Sequence, residues 1–309
     1  MTILVFSTLT NDLQAQLQQQ FPTSRFHFVS NLKEERIPEL FRQAEILLGN
    51  PSPKLFASAP EQLKFWQLDS AGFDQYKMVS TQASIGKMGV FYSKRCAETV
   101  LAGLVAYYRK IHLLIRYQQN GEWKRNELLD ELDLLSEKKV IFLGAGSIAQ
   151  HIDKLLKAFD CETRFMARVH PKASIHSRQE LIRQIPAADI LINTLPGTAD
   201  QFVDMEIFQH MREDALYVSI GRGNTTKEED LILALQQQLI AGAILDVTEQ
   251  EPLPTDHAFW TMEQVILTQH TGGADKRKQK GVYDTFVSNF KRYLSTERPE
   301  NLVEITKGY

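Results

Sequence analysis

A chain of 309 residues is long enough for two domains of ordinary size, and 43% hydrophobic with 24% charged residues is a composition that buries a large core. A formal charge of −3 gives no electrostatic reason for a nucleic-acid or membrane partner. Two cysteines, Cys96 and Cys161, are too few for a disulfide framework or a zinc site, and eight scattered histidines lack metal-ligand spacing. No apolar run approaches the ~20 residues that span a bilayer, and the N-terminus lacks the pattern of a signal peptide. The expectation is a cytoplasmic protein without a metal.

Short apolar runs alternate with helical patterns along the chain, which predicts an α/β protein with parallel sheets. Ile3–Phe6 reads as a buried first strand, and Asn11–Gln20, with Leu13 and Leu17, as an amphipathic helix. Phe26–Val29, Ile46–Leu48 and Phe65–Leu68 are further strands of a first unit. Arg95–Tyr117 carries the apolar stripe Val100, Leu101, Leu104, Val105, Tyr108 and Ile111, and reads as one long buried helix connecting two units. A second unit begins near Lys138. Its strands are Val140–Leu143, Thr163–Ala167, Ile190–Asn193, Leu216–Ile220, Ala243–Leu245 and Val265–Leu267; its helices are Ile148–Phe159, Gln179–Ile185 and Lys227–Gln238. Tyr283–Leu294 is helical, with Phe286, Phe290 and Tyr293 on one face, and pattern alone assigns it to neither unit.

The strand Val140–Leu143 runs at once into Gly144, Gly146 and Ala149, a G-x-G-x-x-A spacing that opens a helix. Gly144 permits the tight turn, Gly146 lets the amides of the loop and of Ser147 and Ile148 approach a pyrophosphate, and Ala149 lets the helix pack on the strand. The helix N-terminus then offers unpaired N–H groups and partial positive charge to an anion. At the end of the second strand a carboxylate would bond the ribose hydroxyls of NAD. Ala167 stands there instead, followed by Arg168, His170 and Lys172. Missing acid and nearby cations suit the 2′-phosphate of NADP over NAD; a solvated basic turn is the alternative.

Three further stretches follow apolar strands, and so lie at the C-terminal edge of a parallel sheet, where open α/β sheets bind ligands. They are Ser219–Asn224 with Ile220 and Arg222, Leu245–Pro254 with Asp246 and Glu251, and Leu267–Gly273 with His270. Behind a dinucleotide loop, in this order, they resemble the D-isomer-specific 2-hydroxyacid dehydrogenase family, which includes glyoxylate/hydroxypyruvate reductases. The resemblance covers nearly the whole chain. Gln67–Asp74 resembles the family's substrate loop, Cys96–Ala102 the start of its interdomain helix, and Leu195–Thr198 its cofactor-side loop. Thr248 departs from the Phe or Tyr common there, Gln201 replaces a second threonine, and Ser84–Lys94 aligns poorly with any one subgroup.

The resemblance implies two Rossmann-like domains with parallel sheets, the nucleotide domain (95–280) inserted into a discontinuous substrate domain (1–94 and 281–309). It implies that Arg222 binds the substrate carboxylate and carbonyl, that His270 is the acid–base residue, and that Glu251 is its partner. Backbone at Ala71 and Gly72 would hold the substrate carboxylate. Gly144, Gly146, Ser147, Ile148, Arg168, Leu195, Pro196, Ile220 and Asp246 would contact NADP or NAD, with Asp246 on the nicotinamide side. Elementary chemistry agrees. A hydride arriving at a 2-oxo carbon builds charge on oxygen, which a positioned imidazole neutralises, and the arginine fork orients a carboxylate bidentately. A homodimer is expected, with the Arg95–Tyr117 helix and the following segment to Leu129, including Trp123, at its interface; Trp123 packed within its own chain is the alternative. A non-enzymatic NAD(H)-sensing, corepressor-like protein on the same fold is the alternative function.

Overall fold

The apolar runs Ile3–Phe6, Ile46–Leu48 and Phe65–Leu68 become strands covered on both faces, whereas the edge run Phe26–Val29 buries only Phe26 and Phe28. In the computed structural model, which describes residues 1–58 and 60–307, the chain divides into Met1–Tyr92 with Ala274–Tyr309, and Ser93–Gly273. In the first unit, β1 (Thr2–Val5) is followed by α1 (Asn11–Gln20), β2 (Arg25–Phe28), α2 (Ile37–Arg42), β3 (Ile46–Leu48), β4 (Phe65–Gln67) and β5 (Ser84–Gly86). α1 starts where Thr10 accepts a hydrogen bond from the Leu13 amide, and buries Leu13 and Leu17.

α3 (Phe91–Tyr108) leaves this unit. The second unit continues with α4 (Ile111–Gln119), α5 (Arg125–Leu128), β6 (Lys139–Leu143), α6 (Ser147–Leu156), β7 (Glu162–Met166), α7 (Arg178–Gln184), β8 (Ile190–Asn193), α8 (Met205–His210), β9 (Leu216–Ser219), α9 (Glu228–Gln236), β10 (Gly242–Leu245) and β11 (Val265–Leu267). The chain then returns to the first unit as α10 (Lys278–Leu294) and β12 (Leu302–Val303).

The first sheet has the order β12-β5-β4-β3-β1-β2, parallel except for β12. α10 lays Val282, Phe286 and Phe290 on Ile3, Val5, Phe26 and Phe65. The buried Asn289 fixes its register, donating to Gln67 Oε1 at 2.7 Å. The second sheet is wholly parallel, in the order β11-β10-β9-β8-β6-β7. Alternate residues of β6 serve opposite cores: Val140 and Phe142 join one, Ile141 and Leu143 the other. Strand order reverses at β6, so the carboxyl ends of β6 and β8 flank a topological switch point, where doubly wound sheets take ligands.

The long helix expected over Arg95–Tyr117 is not one helix. α3 begins earlier, at Phe91, and ends at Tyr108; Lys110 adopts a left-handed φ of 53° and starts α4 on a new axis. Val100 and Leu104 are buried as expected, but no residue of α4 is. The Ser84–Lys94 stretch supplies β5 and the first turn of α3, with Met88 buried. Among the described residues, no helix is long and apolar enough to cross a membrane.

Candidate active site

In the second unit, β6 ends in the turn that its glycines predict. Gly144 has φ +101°, and an added Cβ would lie 2.6 Å from Thr194 Oγ1, so both conformation and space demand glycine. Gly146 precedes α6 and its Cβ would meet nothing within 4 Å. No side chain caps α6 at that point. Gly146 and Ser147 are exposed, Ile148 half-buried. An uncapped helix N-terminus over open space, with no side chain in the way, fits a pyrophosphate.

Beyond β7, Ala167 bonds through its backbone to Ile175 and His176, while Arg168 is exposed beside the fully open Val169. No carboxylate stands at Ala167 to repel a 2′-phosphate, so the residues present fit a phosphorylated dinucleotide. At the end of β8, buried Asn193 accepts from the Leu195 amide at 3.0 Å and donates to Tyr217 and Thr225, which sets the half-buried Leu195 and Pro196 at the sheet edge. Ile220, buried at the end of β9, bonds through its amide to the Asn193 carbonyl.

Glu251 and His270, the pair expected to carry the acid–base chemistry, come together in the same unit. His270 Nδ1 lies 2.6 Å from Glu251 Oε2, and the Thr248 amide donates to Glu251 Oε1 at 3.1 Å. His270 and the preceding Gln269 both have left-handed φ, 54° and 51°. Two such residues in succession, neither glycine, hold strain that the surroundings must offset. Asp246, placed by the sequence on the cofactor side, supplies that restraint. It is buried at the end of β10, its carbonyl accepts the His270 amide, and its Oδ1 accepts both Thr268 Oγ1 at 2.6 Å and the Gly272 amide at 2.8 Å. A Cβ on Gly272 would lie 2.6 Å from Asp246 Oδ2. Sequence motifs singled out Asp246 and His270 but not this staple between them.

Arg222, half-buried after β9, donates from Nη1 to the Gly221 carbonyl at 2.9 Å. Its backbone is wedged by two glycines. A Cβ on Gly221 would sit 2.4 Å from the Leu195 carbonyl oxygen, and one on Gly223 would overlap the Thr248 carbonyl. The neighbouring Cys96 thiol is pushed up to about 12, first by burial and then by the Asp246 charge, which removes it as a nucleophile at neutral pH.

In the first unit, Ala71 is exposed and Gly72 half-buried in the loop after β4, where Ser70 Oγ donates to the Gly72 carbonyl at 2.7 Å. Asp69 enters this loop, its carboxylate bonded to Ser7 Oγ and its carbonyl to Tyr92 Oη. A cavity of about 280 Å³ in this unit is lined by Thr8, Asp69, Lys276 and Lys278 among others, so the loop borders charge-lined space rather than core.

Comparison with known proteins gives a consistent picture. Residues 101–272 match the family described as D-isomer specific 2-hydroxyacid dehydrogenase, NAD binding domain. An uncharacterised protein of Corynebacterium melassecola is 28% identical over 286 residues, covering 89% of this chain and 93% of that protein. Glyoxylate/hydroxypyruvate reductase B of Yersinia pestis is 26% identical over 316 aligned residues, covering 98% and 97%. An NADPH-dependent glyoxylate/hydroxypyruvate reductase from Sinorhizobium meliloti, solved with NADP and sulfate, shares the fold with a TM-score of 0.82 at 19% identity, covering 100% of this chain and 99% of that one.

Proposed function

The chain belongs to the D-isomer specific 2-hydroxyacid dehydrogenase family, and from that premise we propose that this NAD(P)-dependent oxidoreductase reduces small 2-oxo acids of the glyoxylate or hydroxypyruvate type, with NADPH preferred. The observation that carries the reading is the 2.6 Å contact of His270 with Glu251 at the edge of a dinucleotide-binding sheet. The nucleotide, when bound, supplies the hydride; proton transfer and orientation fall to the chain's own residues. His270 donates its proton from Nε2, because Nδ1 faces Glu251. Arg222 orients the substrate's carboxylate and carbonyl. Gly144, Gly146, Ser147 and Ile148 hold the pyrophosphate; Leu195, Pro196, Ile220 and Asp246 line the nicotinamide end. Purified protein mixed with NADPH and a panel of 2-oxo acids, followed at the nicotinamide absorbance, should show turnover. Nucleotide binding without turnover of any of them would favour the sensing alternative.

The NADPH preference rests on Ala167 and Arg168. An acid at 167 would bond the ribose hydroxyls and repel a 2′-phosphate, and exposed Arg168 supplies a charge-assisted bond to that phosphate. Each effect contributes ~1.5–3 kcal/mol, or about tenfold or more in selectivity. Ala167→Asp and Arg168→Ala should each shift the kcat/KM ratio toward NADH, and the wild-type preference should weaken with added salt because Arg168 is exposed. A wild type that prefers NADH, or a ratio that neither change moves, reduces the basic turn to a solvated one.

A cytosolic homodimer belongs to the same proposal. Ile111, Leu114, Ile115, Trp123 and Leu129 are all exposed, Trp123 at 91%, so Trp123 does not pack within its own chain. These exposed side chains, close together in sequence, are where we place the dimer interface. Sedimentation at micromolar concentration should give about twice the 35.4 kDa chain mass; a single 35.4 kDa species would count against it.

A further inference from the structure

Glu251 and His270 are open to solvent, with 37% and 52% of their side chains exposed. An exposed ion pair holds its own geometry weakly, yet proton transfer requires a fixed one. The restraint on Glu251 comes from behind its loop. Glu228, the first residue of α9, has a side chain only 13% exposed. Its Oε2 accepts the Glu249 amide at 3.0 Å, and its Oε1 lies 3.0 Å from His257 Nε2. The two oxygens of one carboxylate thus take the two ends of the segment that carries Glu251.

His257 is itself held in one orientation. Its Nδ1 accepts the Phe259 amide at 3.3 Å, which makes Nε2 the nitrogen that donates to Glu228. Its ring lies 4.7 Å from that of the buried Phe259. Flanking residues hold two carbonyls within the segment, Thr248 Oγ1 donating to that of Gln250 and Trp260 Nε1 to that of Pro254. A negative charge in the first turn of a helix is ordinarily explained by the helix dipole alone. That explanation accounts for neither the depth of this side chain nor its division between two distant points of one loop.

We infer that Glu228, clamped by His257, is a positioning residue for the acid–base pair, acting through Glu251. The inference rests on the dehydrogenase reading above and goes beyond it. A double-mutant cycle tests it on the full-length protein with NADPH and whichever 2-oxo acid the wild type turns over best. Glu228→Ala should lower kcat about tenfold while the Kd of NADPH, read by nucleotide fluorescence, stays within twofold. In a Glu251→Ala background, where the pair is already broken, the same change should lower kcat less than twofold, since residues acting through one contact are not additive. Should Glu228→Ala fail to fold, His257→Asn takes its place in the cycle, with a loss of about threefold alone and none beside Glu251→Ala. Equal losses in both backgrounds, or a loss of stability with kcat unchanged, would overturn the positioning role and leave the dehydrogenase reading intact. A wild type inactive on every 2-oxo acid would remove that reading and this inference together.

Discussion

Replacing His270 by alanine should lower kcat for 2-oxo acid reduction by ~10²–10⁴-fold, the usual contribution of one positioned proton donor, with the Kd of the nucleotide little changed. Nδ1 of the imidazole is committed to Glu251 at 2.6 Å, so Nε2 is the atom left to hand a proton to the substrate oxygen. Both the ring and its partner are anchored to backbone, His270 through the Asp246 carbonyl and Glu251 through the Thr248 amide. A water molecule that replaces the ring supplies neither the orientation nor the restraint.

The pH dependence follows with a definite sign. On the proposed mechanism reduction uses the protonated imidazole, so its kcat/KM should be constant at low pH and fall as pH rises. Oxidation of the 2-hydroxy acid uses the neutral ring and should rise instead. Both limbs should vanish in His270→Ala. Near wild-type turnover in that variant, or an unaltered pH limb, would take His270 out of the mechanism.

Much of this arrangement is legible in the residues before folding is considered. Val140–Leu143 and Ile190–Asn193 are almost wholly apolar because a parallel strand covered on both faces has no solvent side to pattern. The glycines after β6 announce their turn because no residue with a Cβ fits at Gly144. Other features leave no such trace. The break between α3 and α4 rests on one left-handed lysine, a conformation that composition does not advertise, and the apolar stripe has the same period whether it faces its own core or solvent. The two-residue β12 is too short to pattern at all. Within the site, the order of Arg222, Glu251 and His270 is readable as motif. The supports are not: Asp246 reaches residues 22 and 26 positions away, and Glu228 a backbone amide 21 positions away. Such contacts exist only once the loops between strands have closed.

Arg222→Lys should cost on the order of 10–100-fold in kcat/KM for the 2-oxo acid, through both KM and kcat, with nucleotide Kd unchanged. The backbone at this position cannot drift, because Gly221 and Gly223 are wedged against the Leu195 and Thr248 carbonyls and the Arg222 carbonyl accepts from both the amide and the hydroxyl of Thr225. The bond from Nη1 to the Gly221 carbonyl then sets the plane of the guanidinium. A planar fork so oriented holds a carboxylate through two parallel N–H groups and fixes the adjacent carbonyl. Lysine brings a point charge on a flexible stem and cannot reproduce that plane. Losing one charge-assisted bond costs ~1.5–3 kcal/mol, which at about 1.4 kcal/mol per decade is the expected loss. The comparison with Arg222→Ala separates geometry from charge. If the fork matters, lysine should recover little of what alanine loses. If lysine restores full activity, the arginine supplies charge alone, and orientation of the substrate must come from elsewhere in the chain.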